Sequence, residues 1–557
     1  MAKKKTAPVQ ANAVSNRKVR KGSVKYTRQE VNVLLPLYFL IRDVIEGEPA
    51  IKGMIPSGGR GAEFGNGGGI TGLDSSANLI LSRALKYLPQ PNADDKSPAN
   101  LERYRAYVMR AVFYNVTART LGGMTGQVFL RDPVMELPKE LDSLKNDSNG
   151  TGLSLIQLAK LAVKEDLSYG RLGILVDYPV TSGPVTAADV QDGDIRPTLT
   201  VFYPWDIINW RTMQRGAKRV LSFLVLRETL AEEGDEDFEP IPNEQYRVLS
   251  LDQDNEGSYT VEIYREEEGQ EGHTLSEWFV PTDADGKPLK EIPFHFIGSD
   301  NNGIAPNKPP LYDLASLNIA HYRNSADHEE ASFIAGQPTP VLSGLTKDWV
   351  TNVLKGSVTL GSRASIPLPQ GGTATLLQAN TNTMPGEGMK HKEDQMVALG
   401  AKLVQKQLTA RTAVETIVET TSESSTLANV AKNVSVAFEW ALGTAAKFVI
   451  KGTVSAIKFS LNTDFDLTNM TPADIQQVVQ TWIQGGIAFP EMREVLRKGG
   501  YATLADDVAL KLIQKEQADM GLGAPNPNAT ADPNLHANID APGPIPKKKE
   551  PGVAATA

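Results

Sequence analysis

The sequence predicts an α+β fold in which a mixed, strand-rich first half gives way to long helices. Three patterns carry this reading. Residues 198–300 hold short β-branched and aromatic runs separated by turn signals such as Asp254-Asn255-Glu256-Gly257 and Asp285-Gly286. From 311 onward the character changes, and Leu311–Ala335 contains neither Gly nor Pro. A segment rich in Gly, Pro, Thr and Ser, 336–386, then separates this stretch from the next helical one.

Taken from the N-terminus, residues 1–28 carry nine basic residues and no acid. Such a block reads as a solvated, disordered arm, or as an arm that pairs with an acidic partner or nucleic acid. Half of the residues in 57–72 are Gly, but no Lys-Ser/Thr follows and no buried strand precedes, so the segment reads as a surface loop rather than a phosphate cradle. Asn100–Arg131 has helical periodicity, loosened at Gly122-Gly123 and stopped by Asp132-Pro133. Ser154 is placed to cap a helix over 154–166 whose apolar face is Leu155, Leu158, Ala159, Leu161 and Ala162. Tyr169–Pro179 reads as a buried strand ended by proline. Further strands are expected at 198–203, 220–228, 246–252, 259–265, 277–280 and 294–297. Two acidic blocks, 232–239 and 266–271, read as solvated loops because they lack the ordered glycine spacing of a cation loop.

In the second half, helices are expected over 311–335, over 390 to about 413, and over 424–449. At 1.5 Å per residue the long ones span about 35–40 Å, a length that must be buried by neighbours in this chain or in other subunits. Between the first two, short β-like runs occur at 339–342, 357–360 and 373–378. Thr471-Pro472 and Pro490-Glu491 open two short helices joined by Gly485-Gly486. After about 515 the chain turns rich in Asn, Pro, Ala and Gly, a composition expected to be disordered.

Composition removes several functions. The 557 residues include no Cys, which excludes disulfide scaffolds, thiolate metal sites and Cys nucleophiles. Lys and Arg number 57 against 66 Asp and Glu, a net charge of −9 that argues against a protein gripping nucleic acid over a broad surface. There is no signal-peptide pattern and no run of ~18 apolar residues, so a soluble, cytoplasmic chain is expected. Searches for a phosphate loop, a nucleophile elbow and a zinc-binding His-Glu-x-x-His all fail. His321 and His328 share a helix, but two turns, about 10 Å of rise, separate them. Asp192/Asp194 and Asp464/Asp466 are isolated acid pairs, short of the converging carboxylates of a two-metal site. No catalytic residue, metal or cofactor is expected, and the chain does not read as an enzyme.

The order of elements resembles the portal proteins of tailed bacteriophages over roughly residues 30–510. The most specific part is Pro309-Pro-Leu-Tyr-Asp-Leu-Ala-Ser-Leu-Asn-Ile-Ala-His-Tyr-Arg-Asn-Ser-Ala-Asp327, followed by Gly336-Gln-Pro-Thr-Pro-Val-Leu-Ser-Gly344. Tyr104–Asn115, Gly170–Pro179 and Glu419–Asn429 support it. The resemblance implies a disordered basic arm at 1–29, a mixed α/β wing at 30–308, and a stem helix at 309–335. A small α/β clip follows at 336–386, then a second stem helix at 387–408 and a tunnel loop at 409–424. A long helix with wing and crown helices would occupy 425–514, and a disordered tail 515–557. It also implies a ring of twelve subunits at one capsid vertex of the virion, assembled in the host cytoplasm. Double-stranded DNA would pass through the channel. The clip would dock the large terminase and later the head-completion, adaptor and tail proteins, while the wing would face the major capsid protein and the scaffold. A channel works best with few sticky contacts, and window 405–424 is polar and near neutral. Lys406, Arg411 and Glu415 are therefore the candidate channel-lining residues, with contact to neighbouring subunits as the competing role. The other readings are a different head–tail structural protein or a metal-dependent nuclease using the 192–194 or 232–239 acids.

Overall fold

Local capping sets several helix starts. Ser97 accepts a hydrogen bond from Asn100 N ahead of Pro98 and opens a helix over Pro98–Arg110. Ser154 and Gln157 form a reciprocal capping box that opens Leu155–Tyr169. The structure is a computed structural model that describes residues 20–54, 83–179, 195–233, 240–252, 257–266, 272–337, 339–355, 358, 366–377, 382–404, 426–452, 456–463, 465, 472–498, 501–502 and 506–519. Two units are distinguished, 1–463 and 464–557.

In the first unit the helices are α1 (Gln29–Glu46), α2 (Glu48–Ile51), α3 (Pro98–Arg110), α4 (Val116–Val128), α5 (Ser143–Asn146), α6 (Leu155–Tyr169), α7 (Tyr312–Ala335), α8 (Met384–Val404) and α9 (Thr426–Val449). The stretch expected as one helix over 100–131 is two, because Ala111 turns extended and Asn115 caps a new start by accepting from Ala118 N. The strands are β1 (Val134–Glu136), β2 (Arg171–Asp177), β3 (Thr198–Phe202), β4 (Ile207–Arg215), β5 (Lys218–Glu233), β6 (Pro240–Asp252), β7 (Ser258–Glu266), β8 (His273–Phe279), β9 (Phe294–Gly298), β10 (Thr339–Ser343), β11 (Thr373–Leu377) and β12 (Lys458–Ser460). Both types are well represented, and the fold is α+β.

A three-stranded antiparallel sheet, β3-β2-β9, has β2 as its middle strand, buried along nearly its whole length. Gly170 reverses the chain between α6 and β2 in the left-handed conformation (φ 67°), where a Cβ would come 2.8 Å from Lys308 O. Helices α6 and α9 pack on this sheet, and α9 buries Leu427, Val430, Val434, Phe438, Ala441, Leu442 and Ala445 along one face. The five-stranded antiparallel sheet β4-β5-β6-β7-β8 is a meander with apolar residues on both faces. Its inner face joins Trp210, Leu224, Leu249 and Val261 to Phe202, Phe294 and Phe296. Its outer face carries Val225, Tyr246, Val248, Tyr264 and Leu275, packed against Val24. Strand β4 was not among the expected strands, since Asn209, Arg211 and Gln214 interrupt its apolar pattern.

The arm expected to be disordered over 1–29 is corrected over its last part. Arg20 bonds Glu262 (Nε–Oε2 2.7 Å) and Ser250 and lies over the Phe223 ring. Arg28 donates from its backbone N to Ile208 O, and its guanidinium donates to Trp210 O. The segment around Arg20 and Val24 thus lies on the outer face of the meander, and Arg28 holds its edge strand β4; residues 1–19 lie outside the described residues, as do the Gly-rich 57–72 and Asp192/Asp194.

The second unit contains three helices, α10 (Pro472–Ile483), α11 (Phe489–Lys498) and α12 (Asp506–Asp519). The last of these corrects the disordered tail expected from 515, for helix continues to Asp519; Ala509 is buried along it. The span expected as 425–514 is divided between the units, with α9 in the first and α10–α12 in the second.

Candidate functional site: the paired helices and the sheet between them

Helix α7 is the frame of the site. Its first half is buried through Leu314, Ala315, Asn318, Ile319, Tyr322, Ser325 and Ala326. Asn318, 0% exposed, bridges to the break between α3 and α4. Its Oδ1 accepts from Val116 N (3.1 Å), Thr117 N (3.2 Å) and Thr117 Oγ1 (3.1 Å), while its Nδ2 donates to Tyr114 O (2.8 Å). One amide thus serves the first turn of α4 from outside it, as the partner of Thr117 N and a second partner of Val116 N, which also donates to Tyr114 O. Ser325 Oγ accepts from Val112 N, and Arg323 Nε donates to Tyr87 O. Tyr322 meets Phe113 edge-on, 5.8 Å between centroids.

Further along, α7 is held at its side by α3. Tyr107 donates to Asp327 (2.6 Å), Arg110 pairs with Glu330, and the Arg110 guanidinium lies 4.1 Å over the Phe333 ring. Burial, with the Asp327 bond and the Glu330 charge adding to it, pushes the Tyr107 hydroxyl well above its ordinary pKa.

Helix α8 runs against α7, and two glycines in its first turns permit the approach. A Cβ at Gly388 would come 2.5 Å from Asn324 Nδ2, and one at Gly386 3.4 Å from the His328 ring. His321 Nε2 lies 3.1 Å from Glu393 Oε1 across the pair, and Met396 is buried. The helix begins at Met384, three residues before the start expected for the second stem helix, and is described to Val404. His321 and His328, two turns apart on α7, both face α8. The opposite face of α8, including Lys390, Asp394 and Val397, is exposed.

The chain between the two helices forms the sheet β10–β11, in register from Thr339↔Leu377 to Ser343↔Thr373. A single π-helical turn, Trp349–Val353, lies in the connection. Among the described residues little covers this sheet. Leu376 is 64% and Leu377 66% exposed, Met384 at the start of α8 is 75% exposed, and Phe333, Ile334, Val341, Val350 and Val353 are exposed as well. Residues 336–383 carry only Lys347, Asp348, Lys355 and Arg363 as charges. The surface is apolar and polar-neutral, suited to contact with protein rather than with phosphate.

Lys406, Arg411 and Glu415 lie outside the described residues, so their placement is not part of this geometry. Among the described residues no three His, Asp or Glu come together in a way that could hold a metal ion. Asp464 and Asp466, and most of the 232–239 and 266–271 blocks, also fall outside. The residue that the sequence reading missed is Asn318. Its signal was present: a polar side chain in the apolar stripe Leu314, Ala315, Ile319, Tyr322 of a helix. No helix among the described residues is long and apolar enough to cross a membrane.

No curated protein matches the chain. Residues 310–449, from the start of α7 through the end of α9, match a sequence family described as a domain of unknown function (DUF4055).

Proposed function

We propose that this chain is a portal protein of a tailed bacteriophage, with a structural rather than catalytic role. In this reading its copies form a ring at one vertex of the virion capsid, after assembly in the host cytoplasm. Double-stranded DNA enters and leaves through the ring, terminase and head-completion or tail proteins dock on the sheet β10–β11, and the strand-rich 30–308 region faces capsid and scaffold proteins. The supporting observation is the helix pair α7/α8 bearing a two-stranded sheet whose Leu376 and Leu377 are about two-thirds exposed. A two-stranded hairpin does not bury enough apolar surface to be stable alone, and among the described residues this one has no core from its own chain. Neighbouring copies can provide the missing cover, side by side around an axis. Lys406, Arg411 and Glu415 remain the candidate channel-lining residues of this reading.

Negative-stain imaging of the purified protein tests it directly. Rings with a central hole are expected, and a monodisperse globular monomer at micromolar concentration would sink the reading. Leu376→Ser with Leu377→Ser is expected to shift the population toward smaller species while leaving the circular dichroism of the chain unchanged.

A further inference from the structure

Three side chains at the junction of α6, β2 and β9 carry buried polar atoms that make no hydrogen bond. Asp166, in the last turn of α6, is 0% exposed, and neither of its carboxylate oxygens has a partner. Arg171 opens β2; its Nη1 donates to Gly303 O (3.3 Å), but its Nη2 is unpaired. Asn307, in the connection from β9 to α7, donates from Nδ2 to Asp300 Oδ2 (2.8 Å) and keeps a buried, unpaired Oδ1. Buried polar atoms are nearly always paired, so three such side chains in one place point to a ligand.

The sheet gathers them. Arg171 and Gly298 are partners in the β2–β9 ladder, and paired residues project to the same side. On that side Asn301 O and Asn307 Oδ1 both lie where a Cβ on Gly298 would be, an approach to the strand that only glycine permits. The Arg171 guanidinium is held 4.1 Å from the Phe296 ring and 5.0 Å from the Trp210 ring. Asp166 faces the charges of Asp300 and Arg171. Burial, with Asp300 adding to it and Arg171 opposing, pushes its carboxyl well above the ordinary pKa. Asp300 and Asn301 are exposed whereas Asp166 is closed to water, so the group has a wet side and a dry side.

The balance of donors and acceptors selects the class of ligand. Three unpaired oxygens, Asp166 Oδ1 and Oδ2 and Asn307 Oδ1, stand against one unpaired nitrogen, Arg171 Nη2. Two carboxylates, Asp166 and Asp300, also face the one guanidinium. A water brings donors and acceptors alike and leaves the excess of negative charge, whereas a cation meets oxygens alone and offsets it. The oxygens are carboxylate, amide and carbonyl, presented by an irregular loop, which suits calcium better than the octahedral demands of magnesium. We propose that Asp166, Asp300, Asn307 Oδ1 and the Asn301 carbonyl bind a divalent cation of the calcium class, which enters from the Asp300 side. Asn307 ligates through Oδ1 while its Nδ2 keeps hold of Asp300. The ion ties the loop 299–307, the lead-in to α7, to the end of α6. The site lies within one chain and stands apart from the ring reading.

Terbium luminescence of the full-length protein tests it, because Trp210 lies beside Arg171 and can pass its excitation to a lanthanide in the calcium position. Titration with terbium chloride should saturate at one ion per chain, with the signal displaced by calcium and not by an equal concentration of sodium. Calcium alone should raise the melting temperature, as a ligand of the folded state does. Asp166→Asn, nearly the same in shape, should weaken terbium binding by at least about tenfold, the effect of losing even an outer partner of a metal ligand, and remove the calcium-dependent rise. Asn307→Ala, in the loop, should weaken binding as well and carries the test if the first variant does not fold. Terbium binding unchanged in both variants would assign the ion to surface acids and overturn the proposal. Absence of saturable terbium binding, with a melting temperature indifferent to calcium, would overturn it in favour of a protonated Asp166 held by water.

Discussion

Replacing Asn318 by leucine tests whether a single amide couples α7 to the start of α4. Leucine has a similar volume but no polar atoms. It would leave Thr117 N without its partner beside a position fully closed to water, and Val116 N and Tyr114 O with only the 2.9 Å bond they make to each other. Each buried polar group left unpaired costs about 1–3 kcal/mol. One unpaired donor and two groups that each lose one of two bonds imply a loss of roughly 2–4 kcal/mol, a large share of a domain's stability. The Thr117 hydroxyl can rotate to another acceptor and is left out of the sum. Asn318→Asp keeps the acceptor, and a negative charge is favoured at the N-terminus of a helix. It loses only the bond to Tyr114 O, so a cost of about 1–2 kcal/mol is expected. Hydrogen exchange read on peptides covering 111–128 separates the two variants. The leucine variant should lose protection there before the rest of the chain, and the aspartate variant should keep most of it. Wild-type protection in the leucine variant would refute the coupling, because the amide would then be filling space and nothing more.

Three further outcomes follow from individual contacts. Arg20→Ala strips the paired guanidinium from Glu262, which is 1% exposed at its side chain, and should cost about 2–3 kcal/mol in chemical denaturation, the low end for a broken buried pair because Arg20 is itself a third exposed. Adding Glu262→Gln should recover much of that loss, and a double variant no more stable than the single one would contradict the pairing. Burial raises Asp206 from 3.8 to about 6 even though Arg227 opposes the shift. The folded state then binds the extra proton, so this group's contribution to stability is present below 3.8 and is lost as the pH rises through about 6. The difference in melting temperature between wild type and Asp206→Asn should change across that window, and a constant difference would be inconsistent with titration there. At Gly173, in the middle of β2, a Cβ would overlap the Phe294 ring. Gly173→Ala should therefore destabilise by about 1–3 kcal/mol through overpacking, measured by the same denaturation, and a neutral result would mean that the ring has room to move.

The α+β class, the two long helices around a Gly- and Pro-rich segment, and most helix starts were legible in the sequence, because each rests on neighbours a few residues apart. Ser154 and Gln157 announce their capping box within four positions, and the apolar stripe of α9 repeats on its own helix. Strand β4 was hidden by Asn209, Arg211 and Gln214, whose place in the sheet is set by pairing with β5 and not by their own preference. The break at Ala111–Asn115 was hidden too, since its donors are satisfied by Asn318 about two hundred residues away. Of the candidate channel residues Lys406, Arg411 and Glu415, the sequence determines the near-neutral charge of their window and nothing about their neighbours. Composition determined an excess of acid and a basic first segment. Only the tertiary structure decided that Glu233, at the end of β5, and Glu266, at the end of β7, lie at the same end of a sheet, that Arg20 and Lys25 lie on its outer face, and that Arg28 holds its edge strand β4. The physical reason is one of range: capping and periodicity act within a few residues, whereas strand order and ion pairs join residues whose distance along the chain carries no information about their distance in space.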